Sequence, residues 1–475
     1  MEFTEIKGKI VSGVFALTSR TVILQVIAFV STFILTILLS PSIFGIFFVV
    51  SAVISFLSYF SDIGFAAALI QKKEEPTREE YVTSFTIQQI LVGSIVIISF
   101  ILSPFFSSFY KLGDSGLFLF KALLVSFVLS SFKTIPSIIL ERKLDFELLV
   151  IPQILETIIF YSSAIIMALF GWGIVSFAWA AILRGIVGLI AIYIICPWKL
   201  GLGISVHALK HLLSFGVPFQ VNSILALVKD DLMTIFLGKI LPFSQVGYIG
   251  WAKKWAEVPL RLIMDSIVRV TFPAYSRLQA DSKILSKAIE KSFFFLALFI
   301  FPVNILMVFF INPFVQIIPK YSKWEPALFS FYLFAFSSVF AAFSSTVINA
   351  LNATGRIKTT LIIMVIWTIL TWILIPIFVF FYGYNGVAIS AFIISFTGII
   401  PIIIMKRIIK FKIFSVLYKP LISTFFIACM MFFILKLSTN FKTIFISLPA
   451  LVFIYGLLVW MWMRKDILPY LPKIK

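Results

Sequence analysis

Charge is scarce in this sequence. Only 12% of its 475 residues are Asp, Glu, Lys or Arg, and acids are the rarer sign, 20 against 39 basic residues. A soluble domain has about a quarter of its residues charged, so a water-facing globular fold is excluded as the class. Cysteine and histidine are rarer still, with two of each. Cys196 and Cys429 fall too far apart along the expected topology to bridge, and neither sits in a redox motif. His207 and His211 share an i, i+4 spacing, but no third ligand is near, so they read as interfacial polar residues and no metal site is expected. No Gly-x-x-x-x-Gly-Lys-Ser/Thr run is present to cradle a nucleotide phosphate, and no cofactor is expected. The first residues lack the short apolar core and small-residue cleavage site of a removable signal, so the first helix is expected to direct insertion itself.

What fills the sequence is hydrocarbon. Hydrophobic residues make up 61% of the chain, 56 of them Phe, and the mean hydropathy is +1.11. Spanning a core about 30 Å thick takes about 20 helical residues, and backbone groups in lipid must be satisfied within the segment. Apolar stretches of that length recur at 13–38, 43–69, 82–109, 117–139, 148–169, 174–195, 212–237, 244–272, 292–311, 327–351, 360–381, 386–405, 415–435 and 443–463. The expected fold is an all-α polytopic membrane protein of about 14 transmembrane helices.

The formal charge of +19 invites a nucleic-acid reading, but its distribution argues for topology instead. With the first residues taken as cytoplasmic, the connections on that side hold 24 Lys and Arg and those on the other side hold 6. This bias puts both termini in the cytoplasm, with attraction to anionic headgroups as a secondary gain. No nucleic-acid partner is expected.

The chain also repeats weakly. Pro41-Ser42-Ile43-Phe44-Gly45 and Pro242-Phe243-Ser244-Gln245-Val246-Gly247 align their Ser and Gly at an offset of 202, both in outer turns. Arg142-Lys143-Leu144 is matched by Gly355-Arg356-Ile357, and the turn from Phe170 to Val175 by that from Tyr382 to Val387, at offsets of 213 and 212. Six helices separate the copies, an even number, so the halves share one orientation and an axis along the membrane normal. The expected organisation is an N-lobe at 1–200, a C-lobe at 201–410 and an appended helix pair at 411–475.

Nine basic residues fall within the apolar stretches, Arg20, Lys121, Lys133, Arg184, Lys229, Lys253, Lys254, Arg261 and Arg269, together with the acids Asp62, Glu156, Asp230, Asp231, Glu257 and Asp265. A central charge costs about 2.5–3.5 kcal/mol on insertion scales, so such residues face a cavity or a partner. In the eighth stretch Lys253, Glu257, Arg261, Asp265 and Arg269 recur every four residues with alternating sign, a ladder of i, i+4 neighbours. Pro259 lies inside it and is expected to kink the helix. The ladder reads either as a self-neutralised stripe in a wet groove or as the border of a water-filled path open to an anion. Lys229, Asp230 and Asp231 are consecutive and cannot share one face of a helix; either acid is a candidate for proton coupling.

Several runs together resemble one family. They are Leu39-Ser40-Pro41 with Phe44-Gly45, the run from Ser61 to Lys73, Leu140-Glu141-Arg142-Lys143-Leu144-Asp145-Phe146, Phe272-Pro273-Ala274-Tyr275-Ser276-Arg277-Leu278-Gln279, Lys323-Trp324-Glu325-Pro326-Ala327, and Asn352-Ala353-Thr354-Gly355-Arg356. In this order and at these places they resemble the Wzx-like bacterial flippases of polysaccharide and lipid-linked oligosaccharide precursors, in the multidrug/oligosaccharidyl-lipid/polysaccharide exporter superfamily. The resemblance implies a two-lobed, fourteen-helix exporter of the bacterial plasma (inner) membrane. It would move a polyprenyl diphosphate-linked glycan outward by alternating access, with other components of a polysaccharide assembly system as further partners. It implies an ion- or proton-coupling acid at Asp230 or Asp231. It also implies basic cleft residues for the diphosphate, for which Arg20, Arg184, Lys229, Lys254 and Arg261 are candidates by position.

Two rival classes remain. A multidrug or metabolite antiporter of the same superfamily would favour an acid-lined cavity for cations, whereas these stretches hold nine basic and six acidic groups. A membrane glycan polymerase or glycosyltransferase would need a sizeable outer loop, and the longest outer connection, 312–326, has about 15 residues. No enzyme is therefore expected, and no catalytic residue is assigned.

Overall fold

The computed structural model describes residues 21, 23–72, 74–437 and 441–467. All the regular elements among them are helical. Eleven helical segments are long and apolar enough to cross a membrane, which makes this a multi-pass membrane protein. The other three expected spans are the ones that hold charge or begin outside the described residues. The first is described as α1 (Ile23–Leu38). The seventh corresponds to α10 (Val206–Ile240) and the eighth to α11 (Phe243–Ala256) followed by α12 (Val258–Leu278).

Several spans expected to be continuous are each two helices in tandem. The second is α2 (Pro41–Tyr59) and α3 (Phe65–Gln71), and the third is α4 (Arg78–Ile101) and α5 (Ser103–Tyr110). The fourth is α6 (Gly113–Ser131) and α7 (Thr134–Arg142). Several of the breaks, that between α11 and α12 among them, have a clear local cause. Pro104 and Pro259 sit in the first turns of α5 and α12, where a missing N–H costs no helical hydrogen bond. At the end of α2, Ile63 and Gly64 adopt φ of 37° and 78°, left-handed values that end a helix.

The chain divides into two compact units, Met1–Gly247 and Tyr248–Lys475, with the division inside α11. In the first unit α9 (Val175–Ile195) packs on both α8 (Phe146–Leu169) and α6, with Gly188 against Glu156 of α8 and Gly185 against Leu129 and Ser126 of α6, small residues that let helices approach closely. Arg142, at the end of α7, donates to the carbonyls of Leu69 (2.5 Å), Ile70 (3.1 Å), Lys72 (2.8 Å) and Glu74 (2.8 Å). It thereby satisfies carbonyls in the last turn of α3 and in the stretch that follows. Lys72 in turn bonds Glu80 at 2.7 Å, and Glu80 closes a capping box with Thr77 at the start of α4. Two of the motif runs, around Lys72 and Arg142, are thus one latch.

The repeated turn has a physical counterpart. A Cβ on Gly45 would collide with the Phe243 backbone, and a Cβ on Gly247 would collide with the Pro41 backbone. Gly45 and Gly247, like Pro41 and Phe243, differ by 202 positions. The starts of α2 and α11 therefore touch reciprocally.

The second unit contains α13 (Ser282–Ile317), a 3-10 turn at Ser322–Ala327, α14 (Leu328–Ala353), α15 (Ile357–Tyr382), α16 (Asn385–Phe396), α17 (Ile399–Ile408), α18 (Phe414–Leu437) and α19 (Phe441–Ile467). Its motif runs are buried anchors. Trp324 stacks on Trp251 with ring centroids 5.5 Å apart, and the Trp251 indole N–H donates to the Tyr321 hydroxyl at 3.1 Å. Tyr275 donates to Ser292 Oγ at 2.6 Å.

Gly64 and Gly355 give a matched test. Both need left-handed φ, 78° and 77°, but a Cβ at Gly64 would also strike the Gly216 backbone, whereas one at Gly355 meets nothing. Gly355→Ala should cost about 1–2 kcal/mol, the left-handed penalty alone. Gly64→Ala should cost clearly more, read as a larger fall in the melting midpoint of the detergent-solubilised protein. Equal shifts would mean that the α3–α10 contact yields freely.

Candidate functional site

The break between α6 and α7 puts Lys133 at the head of α7, facing Glu156 of α8. Lys133 Nζ donates to Glu156 Oε1 at 2.5 Å, and Arg184 Nε of α9 reaches Glu156 Oε2 at 3.4 Å. One carboxylate thus sits between two cations, leaving one net positive charge. The Lys133 and Glu156 side chains are 15% and 10% exposed, while that of Arg184 is 52% exposed. The longer arm is weak by the standard of charge-assisted bonds, about 2.7–2.9 Å, so the guanidinium is only loosely engaged. Its carbon lies 5.9 Å from the centre of the Phe160 ring, within cation–π range.

These residues line a cavity of about 350 Å3, together with Ser137, Gln153 and Thr157. The Gln153 carbonyl oxygen is buried without a hydrogen-bond partner. Gly188 keeps the site open, since a Cβ there would collide with the Glu156 carboxylate. Pro152, one turn before Glu156, interrupts the α8 ladder. The result is a polar, cationic hollow walled by apolar helices, suited to an anion or a hydrated polar group.

On α10 the three consecutive charges diverge, as helical geometry requires. Asp231 accepts from Ser55 Oγ of α2 at 2.8 Å. Asp230 is exposed and Lys229 half-buried, and the Asp230 backbone carbonyl accepts from Thr234 Oγ1 at 2.9 Å. In the last turn of the helix, Lys239 donates to the Phe109 carbonyl at 2.9 Å.

In the second unit the expected charge ladder is divided by the helix break. Lys253 and Lys254 end α11, Glu257 is the junction, and Arg261, Asp265 and Arg269 belong to α12. The Glu257–Arg261 rung is present, with Arg261 Nη2 2.9 Å from Glu257 Oε2. Lys253 and Lys254 are half-buried. The break precedes Pro259 by two residues, because proline is accommodated in the first turn of the new helix and not in the middle of an old one. Arg20 and the side chains of Asp265 and Arg269 lie outside the described residues.

Of the nominated cleft residues, the structure brings Arg184 into a cavity with Lys133 and Glu156, neither of which was nominated. Both were visible in the sequence as charges inside apolar stretches. Their pairing was not: Pro136, in the first turn of α7, marks the break after α6, but which neighbour Lys133 then meets depends on how the helices are rotated about it. Among the described residues no three His, Cys, Asp or Glu side chains stand together as metal ligands.

The unequal exposure of the two arms predicts unequal costs. Lys133→Met strands a buried carboxylate and should destabilise by about 3–5 kcal/mol. Arg184→Ala removes a half-exposed arm and should cost at most about 1 kcal/mol. Thermal denaturation in detergent checks the order, and a larger loss from Arg184→Ala would contradict it.

Residues 34–329, more than half of the chain, match the family described as polysaccharide biosynthesis protein. The chain is 25% identical over 279 residues to an uncharacterized membrane protein in the cps region of Klebsiella pneumoniae, covering 57% of this chain and 56% of that protein. It is 24% identical over 327 residues to the lipopolysaccharide biosynthesis protein WzxC of Escherichia coli K12, covering 67% and 65%. It is 25% identical over 225 residues to a probable lipid II flippase MurJ of Buchnera aphidicola, covering 42% of each. The matched region thus spans between two fifths and two thirds of these relatives. Among solved structures, lipid II flippase MurJ in an inward closed conformation superposes with a TM-score of 0.76 at 16% identity, covering 95% of this chain and 99% of that one. An inward-facing multidrug resistance MATE family transporter of the MOP superfamily gives 0.61 at 17%, covering 83% and 97%. At such identities the likeness shows the fold, which is the polytopic helical fold these transporters share. The match over residues 34–329 shows the family as well: the chain belongs to the polysaccharide biosynthesis proteins.

Proposed function

We propose that this protein is a flippase that carries a lipid-linked oligosaccharide or polysaccharide precursor from the cytoplasmic to the outer leaflet of a bacterial inner membrane by alternating access. The observation that carries this reading is the cationic cavity at Lys133, Glu156 and Arg184 in a member of the polysaccharide biosynthesis family. A diphosphate crossing hydrocarbon forfeits its hydration, and a basic, polar hollow replaces it. Relatives named as flippases and as polysaccharide biosynthesis proteins support the same cargo class. Lys229, Lys254 and Arg261, with Arg20, are further candidates for diphosphate contacts, and Asp230 or Asp231 for ion coupling. The moving parts are taken to be the lobes 1–200 and 201–410, with the pair 411–475 appended and both termini cytoplasmic. The protein acts as a transporter and not as an enzyme. Moving about two negative charges outward along an inside-negative potential releases roughly 4–5 kcal/mol per 100 mV, so the cycle needs no nucleotide. The rival antiporter shares the fold, but cationic drugs would meet repulsion from a cavity with surplus positive charge.

The test is reconstitution into liposomes loaded with a fluorescent polyprenyl diphosphate oligosaccharide. Wild-type protein should make the inner-leaflet label accessible to an external quencher. Arg184→Ala should fold normally and slow that step at least tenfold. Wild-type rates from this variant would remove Arg184 from the cargo path. Faster uptake of a cationic dye, with no glycan movement, would favour the antiporter.

A further inference from the structure

We infer that the ends of α13, α18 and α19 form a binding site for an anionic phosphate ester, the headgroup of a bilayer lipid, separate from the cargo cavity. A hollow of about 360 Å3 opens there, within the range of small-molecule sites, about 300–1,000 Å3. Four lysines line it, Lys287 and Lys291 from α13, Lys419 from α18 and Lys465 from α19, against two carboxylates, Glu290 and Asp466. Both carboxylates are already engaged. Glu290 Oε1 accepts the Lys412 backbone N–H at 2.6 Å, and Asp466 Oδ2 accepts from Lys419 Nζ at 2.6 Å. Three helix ends therefore converge with two surplus positive charges, a concentration of like charge that an anion would relieve. Lysine ammoniums are point-charge phosphate donors.

The depth of the hollow favours a lipid over a soluble ion. Its floor is apolar, where Phe294, Leu298 and Met463 pack with Phe295 and Val416. Tyr418 lines it and is about half exposed, as are Trp460 and Trp462 in the α19 residues just before Lys465, at 49%, 53% and 50%. Tyr and Trp in such positions sit at headgroup level. Along α18 the surface then becomes wholly apolar, with Leu421, Ile422 and Phe425 exposed. The lysines thus stand where hydrocarbon gives way to headgroups. A headgroup phosphate seated among them would touch α13, α18 and α19 at once, tying the last two helices to the rest of their unit. This site stands independently of the transport reading.

The test uses the purified full-length protein in a neutral detergent, with melting midpoints followed during titration. Short-chain phosphatidylglycerol should raise the midpoint saturably, and phosphatidylcholine should not. Lys287→Gln with Lys465→Gln should weaken the apparent affinity at least fivefold. The paired Lys→Arg variant should restore it, and Lys358→Gln, outside the hollow, should leave it unchanged. Phosphatidylglycerol that gives no shift, or that binds the paired Gln variant as tightly as wild type, overturns the site. An equal shift from sn-glycerol 3-phosphate or inorganic phosphate at the same concentrations overturns the lipid assignment and makes the ligand a free phosphate.

Discussion

A polar group surrounded by hydrocarbon must find its partner inside the protein, and the architecture of this chain follows from that requirement. Helices satisfy most backbone groups by themselves. Wherever a span breaks, something must take over the freed carbonyls and N–H groups. Arg142 does so for four carbonyls in the last turn of α3 and just after it, and Asp62, in the break between α2 and α3, accepts the Ala66 N–H at 3.2 Å. Buried side chains obey the same rule in pairs, such as Asn304 with Ser338 at 3.0 Å and Asn349 with Thr271 at 2.9 Å.

The charges obey it too, and this turns a cost into a site. Lys133 and Glu156 neutralise each other at low exposure, while Arg184 shares the same carboxylate at longer range and remains half exposed. Two cations cannot both be fully satisfied by one acid. The surplus is what an anionic group entering the cavity would meet, and the orphaned Gln153 oxygen beside it can accept from a hydroxyl or a water that accompanies that group. Discontinuous helices recur at substrate sites of membrane transporters because freed backbone and displaced side chains can line a cavity there. Here the break between α6 and α7 positions the lysine.

Close backbone contact is the second constraint. Gly45 with Phe243 and Gly247 with Pro41 bring two related helix starts together with no room for a Cβ. Gly188 does the same opposite Glu156. Attraction between helices in lipid comes from packing and not from the expulsion of water, so these small residues determine which helices meet. Most of the motif runs that suggested the family belong to one of three kinds of structure: such a contact, the Arg142 latch, or a buried aromatic anchor such as Trp251 with Trp324; the run around Gly355 is a left-handed turn.

Composition and periodicity by themselves determined the membrane class and the approximate spans, and they set the expectations of a charge bias between the two sides and of a parallel repeat. Each of these reports on transfer of whole segments between water and lipid, a property summed along the chain. The sequence also showed which charges lie in hydrocarbon, Lys133, Glu156 and Arg184 among them. Only the tertiary structure decided that these three share one cavity, that Asp231 turns toward Ser55, and that α11 and α12 part at Glu257. Those outcomes depend on breaks of one or a few residues and on the rotation of each helix about its axis. A rotation changes every neighbour while leaving the hydropathy of the segment unchanged.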